Sequence, residues 1–206
     1  KDKSVVIIKP AFEFAEKAHS KEKRASGEPY FIHPIAVSLN AASMHLDADA
    51  IAASLLHDVI ENQLIKAEEL KKRFGEGIAF LVEAVTKVEK IKYKGIERET
   101  ESLRKMFLAF AEDVRVVIIK LMDRLHNMKT LEYLPEEKRK RIALETLELY
   151  APLADRLGIW EVKAELEDLA FPYVYPEEHK WLTAQIKHRR EDGQRYLEKL
   201  KPVVEM

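Results

Sequence analysis

The stretch that decides the fold is Val114-Arg115-Val116-Val117-Ile118-Ile119-Lys120-Leu121-Met122-Asp123-Arg124-Leu125-His126-Asn127-Met128. Its first half would suit a strand, because Val116-Val117-Ile118-Ile119 is a run of β-branched side chains. The apolar pattern continues without a break through Leu121, Leu125 and Met128, and no convincing period-two alternation occurs in the chain. The reading is a long apolar helix from Val114 to Leu131 and an all-α fold. Asp123 falls within this apolar segment, where a carboxylate is rare unless it is paired or holds a metal.

Helix signals dominate on both sides of this segment. Residues 10–22 carry an apolar stripe at Ala11, Phe14, Ala15 and Ala18. Gly27-Glu28-Pro29 marks a turn, and Pro34 opens a helix to about Met44. Asp47 or Asp49 caps a helix from about Ala50 to Glu61. Shorter helices are expected over Glu68–Phe74, ended by Gly75, and over Gly77–Val88. The charged stretch 89–100 reads as a mobile loop or frayed helix end, and Leu103–Glu112 as a helix. Pro135 starts a helix to about Leu149, and Pro152 interrupts it or begins its successor. Residues 160–170 and 177–200 are two more helices. A soft boundary near 138–152 divides residues 1–150 from residues 151–206, and all the evident chemistry precedes it.

The composition narrows the class. The chain has 206 residues, 47% hydrophobic and 34% charged, with a net charge of −1. That supports a proper core and argues against a nucleic-acid polycation. There is no cysteine, so disulfides and thiolate zinc sites are excluded, which fits a cytoplasmic protein. No apolar run approaches the roughly 20 residues of a membrane span. Val5-Val6-Ile7-Ile8 is cut by Lys9 and Pro10, too short for a signal peptide. The sequence starts at Lys1 rather than Met, so a fragment of a longer protein is expected.

Four residues carry the chemistry: His33, His57, Asp58 and Asp123. Two imidazoles and two carboxylates suffice to hold a divalent cation and leave positions open for water and substrate. Such donors without sulfur suit Mn²⁺, Fe²⁺ or Zn²⁺ better than Ca²⁺. Residues four apart share a helix face, which pairs His57 with Glu61, Asp58 with Asn62 and Asp123 with Asn127, with Thr130 a turn further on. Glu61 is placed either as a general base or as a partner that holds His57 in orientation. Lys21, Lys23, Arg24, Arg124 and Lys129 lie near these residues in sequence and point to an anionic, phosphorylated substrate. Arg24 is suited to stacking on a base and Tyr30 to packing against a sugar or base.

Longer stretches carry a resemblance to a known family. They are Arg24-Ala25-Ser26-Gly27-Glu28-Pro29-Tyr30-Phe31-Ile32-His33-Pro34, Leu55-Leu56-His57-Asp58-Val59-Ile60-Glu61, Lys120 to Met128, and Tyr150-Ala151-Pro152-Leu153-Ala154-Asp155-Arg156-Leu157-Gly158. Together they resemble the hydrolase domain of the RelA/SpoT homologues, the long alarmone synthetase/hydrolases of the stringent response. The resemblance covers nearly the whole chain. It implies an HD-domain helical bundle over residues 1–150, followed by connecting helices over 151–206 that lead toward a synthetase domain. It implies a Mn²⁺-dependent (p)ppGpp 3′-pyrophosphohydrolase that releases GDP or GTP and pyrophosphate, within a parent that is also a GTP pyrophosphokinase. By motif position, His33, His57, Asp58 and Asp123 would bind Mn²⁺. Glu61 would belong to a Glu-Asp pair that positions and activates water. Arg24 would pack on guanine, with Ser26, Tyr30, Asn127 and Thr130 around the nucleotide. Neither a membrane nor direct nucleic-acid binding is implied for this segment.

Two positions depart from the family pattern. The Glu-Asp pair is Glu61-Asn62 here, and an amide cannot accept a proton as a carboxylate can. If the aspartate is needed, hydrolysis is weakened and Asn62→Asp should raise the rate; if Glu61 is the base, Asn62 still orients water. Ala25 stands where many relatives have lysine, which removes one phosphate or base contact. The alternatives are a catalytically quiet metal- and nucleotide-binding regulatory domain of a GTP pyrophosphokinase, a different HD phosphohydrolase, and a helical scaffold with no metal.

Overall fold

The structure, a computed structural model, describes residues 3–62, 64–89 and 112–187. Every regular element among them is helical, apart from one isolated antiparallel bridge between Lys23 and Pro29. The elements are α1 (Lys3–Ala18), α2 (Ile32–Ser43), α3 (Ala48–Glu61), α4 (Ala67–Phe74), α5 (Glu76–Glu89) and α6 (Val114–Lys129). A 3-10 turn at Leu131–Tyr133 leads to α7 (Glu136–Glu145), a π-helical segment at Thr146–Tyr150, α8 (Ala151–Arg156) and α9 (Trp160–Val174). Residues 176–187 are also helical. Apart from Glu89 and Glu112, the expected loop at 89–100 and helix at Leu103–Glu112 lie outside the described residues. So do residues 188–200 of the last expected helix.

The hub is α3. Asp47 starts it by accepting a hydrogen bond from the Ala50 amide at 2.9 Å, which satisfies one of the free donors of the first turn. Every side chain from Ala52 to Val59 is buried, so this helix has no solvated face in that span. The small side chains of Ala52, Ala53 and Ser54 help its neighbours approach, and α1, α2 and α5 all pack on it. His57 and Asp58 are thereby carried into the interior, where polar groups must find partners.

The decisive segment is a helix, as its pattern predicts. Asp113 caps α6 by accepting from the Arg115 amide at 2.9 Å. Val116, Val117, Ile119, Leu121, Met122, Leu125 and Met128 are buried, and α6 packs on α2, α5 and α9. Tertiary burial on several sides outweighs the local strand preference of the β-branched run.

Several helix boundaries differ from expectation: α2 starts at Ile32, two residues before the proline expected to open it, and α9 runs past residue 170 to Val174. α1 runs from Lys3 through Pro10 and stops at Ala18. Proline removes a bond to the carbonyl four residues earlier, at Val6, which is 59% exposed and open to water. Further on, α7 gives way to the π-helical segment just before Pro152. The proline has no amide hydrogen for the Glu148 carbonyl, and the wider turn accommodates the change of register. Residues of α8 and α9, among them Leu153, Val162 and Leu166, join the same hydrophobic core as α3 and α6. No helix among the described residues is long and apolar enough to cross a membrane.

Candidate metal centre

Three helices each bring one part of the site. His33 lies in the first turn of α2, His57 and Asp58 in the last turns of α3, and Asp123 in the middle of α6. All four are buried, at 1 to 7% exposure. The two Nε2 atoms of His33 and His57 are 3.2 Å apart. His57 Nε2 is 3.1 Å from Asp58 Oδ1, and His33 Nε2 is 3.1 Å from Asp123 Oδ1 and 3.6 Å from Asp58 Oδ2. His57 Nε2 lies 3.8 Å from Asp123 Oδ1. Ligand atoms of His33, His57 and Asp58 lie within 4.8 Å of one another. Donors bound at about 2.0–2.2 Å to a common cation sit about 3–4 Å apart, so the set fits a divalent ion.

Each donor is held by a neighbour. His57 Nδ1 donates to the Ser54 carbonyl at 2.8 Å, which leaves its Nε2 for the centre. His33 Nδ1 meets His126 Nδ1 at 2.8 Å. When His33 is the donor of that bond, its Nε2 lone pair faces Asp123 Oδ1, an arrangement favourable only with positive charge between them. Tyr30 donates its hydroxyl to Asp58 Oδ2 at 2.7 Å. Asn127 Nδ2 donates to Asp123 Oδ1 at 2.7 Å, and Lys120 Nζ to Asp123 Oδ2 at 2.6 Å.

Burial and the mutual charges of these groups set their ionisation. Burial opposes charge on His57, but Asp58 and Asp123 overcome it and raise its pKa to about 9. Burial lowers the His33 pKa, against the pull of Asp123. Burial would raise the Asp123 carboxyl, yet Lys120 and the two imidazoles hold it well below the ordinary carboxylate range. Burial, reinforced by Asp58, pushes the Tyr30 phenol up, so it stays a donor. Burial lowers His126 to about 4, helped by His33 and Arg24, and a neutral ring can accept from His33.

A cavity of about 460 Å³ opens above these residues, within the usual size of a small-ligand site. Arg24 crosses it from the turn before α2. One Nη2 atom donates to Asn127 Oδ1 and to Thr130 Oγ1, both at 3.0 Å. The turn itself is tied by Arg24 N to Glu28 O and Gly27 N to Arg24 O, each 2.9 Å, with Gly27 at φ 87°, where glycine is at ease. The structure thus brings Arg24, Tyr30, Asn127 and Thr130 together. Ser26 lines the cavity while its hydroxyl donates to Glu28 at 3.1 Å. Glu61 and Asn62 lie on the cavity wall at the end of α3. Lys23 and Arg124 also line it, joined by Lys138 and Arg141 of α7, whereas Lys129 pairs with Glu165 at 2.7 Å.

Sequence reasoning gave no role to Lys120 or His126, although both touch the site. The signal was available: each is three residues from Asp123, so all three fall near one face of α6.

A model of the HD domain matches residues 11–160. The chain belongs to the HD domain family. The His57-Asp58 dipeptide that the HD domain carries here is the pair described above. Over 93% of its length the chain is 52% identical to a guanosine-3′,5′-bis(diphosphate) 3′-pyrophosphohydrolase of Aquifex aeolicus. Over 96% it is 45% identical to a GTP pyrophosphokinase of Myxococcus xanthus and 43% identical to the bifunctional (p)ppGpp synthase/hydrolase SpoT of Escherichia coli. It spans only 27 to 28% of the length of these relatives. Its fold is similar to a solved metazoan SpoT orthologue described as hydrolysing ppGpp, with a TM-score of 0.60 over 79% of this chain and 92% of that one, at 23% identity. That likeness bears on the fold of the HD domain alone.

Proposed function

We propose that this HD domain is a Mn²⁺-dependent (p)ppGpp 3′-pyrophosphohydrolase, releasing GDP or GTP and pyrophosphate. The observation that carries the reading is the buried set of His33, His57, Asp58 and Asp123, with His33, Asp58 and Asp123 lining the same cavity as Arg24. The activities of the relatives supply the substrate class. His33, His57, Asp58 and Asp123 would hold the cation, which when bound supplies Lewis acidity at a phosphoryl oxygen and acidifies a neighbouring water.

The chain's own residues do the rest. Arg24, held by Asn127 and Thr130, presents a planar cation that stacks on a guanine base. Ser26 and Tyr30 flank the nucleoside on the same side. Lys138 and Arg141, which also line the cavity, give it positive charge for the phosphates. Glu61 accepts the proton of the attacking water, and Asn62 orients that water by hydrogen bonding. Water attacks the 3′-linked phosphorus, the bond to the ribose 3′ oxygen breaks, and that oxygen gains a proton.

Residues 1–150 serve as the hydrolase body and 151–206 as a connector toward a synthetase domain of a longer cytoplasmic protein. The test is pyrophosphate release from ppGpp by this chain with Mn²⁺, beside a chelated control. Metal-dependent release is expected. Nucleotide binding without release would instead favour a quiet regulatory domain.

A further inference from the structure

Asn62 ends α3 as its C-cap, and its Nδ2 lies 3.4 Å from Glu22 Oε2. Glu22 follows α1, and the same Oε2 accepts from His19 Nδ1 at 2.6 Å. His19 is buried, and its ring stacks on Tyr30 with centroids 4.9 Å apart. Its Nε2 has no partner among the described residues, so Glu22 is its polar anchor there. The Tyr30 hydroxyl beside it donates to Asp58.

These contacts fix which way the Asn62 amide points. A carboxylate only accepts, so the atom facing Glu22 is the amine. Amine and carbonyl lie on opposite branches of one planar group. With the amine turned to Glu22, the oxygen is left for the cavity wall that Asn62 shares with Glu61.

We propose that Glu22 is a positioning residue, which fixes the Asn62 oxygen as a water acceptor beside Glu61 and reserves position 62 for a neutral side chain. This rests on the hydrolase reading above. An aspartate at 62 would set one carboxylate against another, with no donor between them. The expectation that Asn62→Asp raises the rate is thereby reversed. A glutamine at 22 can still accept from His19, and its amine can donate to an aspartate at 62.

The experiment is a double-mutant cycle of Glu22→Gln and Asn62→Asp, read by pyrophosphate release, KM and Mn²⁺ affinity. Asn62→Asp alone should lower kcat roughly tenfold, the equivalent of about one pK unit of like-charge interaction. KM should change little. Glu22→Gln alone should lower kcat, because its amine competes for the Asn62 oxygen that the carboxylate leaves free, and the double variant should recover the loss of either single variant. A gain from Asn62→Asp alone, or a loss that Glu22→Gln does not relieve, overturns the proposal. Side-chain amide NMR gives a second readout: the Asn62 NH₂ pair should shift and sharpen toward a freely rotating signal in Glu22→Ala. If the wild-type chain releases no pyrophosphate, the hydrolase reading fails and this signal decides. A responsive Asn62 signal supports the positioning role, and an unresponsive one overturns it.

Discussion

Lys120 Nζ lies 2.6 Å from Asp123 Oδ2, with both side chains only 4% exposed. A buried ammonium and carboxylate depend on each other, because either alone in the interior keeps its desolvation cost. Their partnership joins the metal centre to the stability of α6.

Asp123→Ala should therefore do two things. It should abolish Mn²⁺ binding and hydrolysis, and it should cost about 3–5 kcal/mol of stability, the usual price of breaking a buried pair. Adding Lys120→Met should return much of the stability without returning the metal. Denaturant unfolding and metal titration separate the two effects. Mn²⁺ retained by Asp123→Ala would sink the ligand assignment.

His126→Phe tests the orientation of His33. The ring keeps its place against His33, where the centroids are 4.9 Å apart, but loses the 2.8 Å contact to His33 Nδ1. Mn²⁺ affinity should fall about 10- to 100-fold, as for other partners of metal-bound imidazoles. Calorimetric titration measures it, and an unaltered affinity would show that His33 is oriented without this neighbour.

Arg24→Ala should raise KM for ppGpp with Mn²⁺ affinity held. The arginine's hydrogen bonds go to Asn127 and Thr130, and the turn keeps its backbone bonds without the side chain. A charged hydrogen bond or stack of this kind contributes about 1.5–3 kcal/mol, or roughly 10- to 100-fold in KM. Steady-state kinetics check it, and a fall in kcat alone would contradict a binding role.

Asp113→Ala removes a cap far from the chemistry. The cost should be about 1 kcal/mol, a fall of about 2–4 °C in Tm for a chain of this size. Arg115 beside it holds the Asp113 carboxyl below the ordinary carboxylate range. That stabilisation is present above the unfolded value, near pH 4, and is lost as pH falls through the lower folded value. The gap in Tm between wild type and Asp113→Ala should accordingly narrow in acid, and a gap independent of pH would assign the effect to other contacts.

The sequence was most legible where one pattern ran long. The helix through Val116-Val117-Ile118-Ile119 was readable because Leu121, Leu125 and Met128 extend its spacing, and the four proposed ligands stood out by residue type, while the choice between Asp47 and Asp49 as cap needed the structure. Less legible was whatever depends on three-dimensional neighbours. Pro10 inside α1 looked like a start, because nothing local shows that the Val6 carbonyl faces water. The π-helical segment before Pro152 has no compositional mark. Lys120 read as one more lysine in a charged chain until α6 carried it inside beside Asp123. The Glu22–Asn62 contact spans 40 residues and needs the turn after α1 to be visible.

The Asn127 amide has a further consequence. Its nitrogen holds Asp123 at 2.7 Å, and its oxygen holds Arg24 at 3.0 Å. One planar group therefore connects the cation's carboxylate to the arginine proposed for the base. Linkage is reciprocal: whatever factor a bound nucleotide adds to cation affinity, the cation must add to nucleotide affinity. On the proposed reading, a divalent cation that tightens nucleotide binding is itself held more tightly while the nucleotide is bound, so the two would leave the domain together.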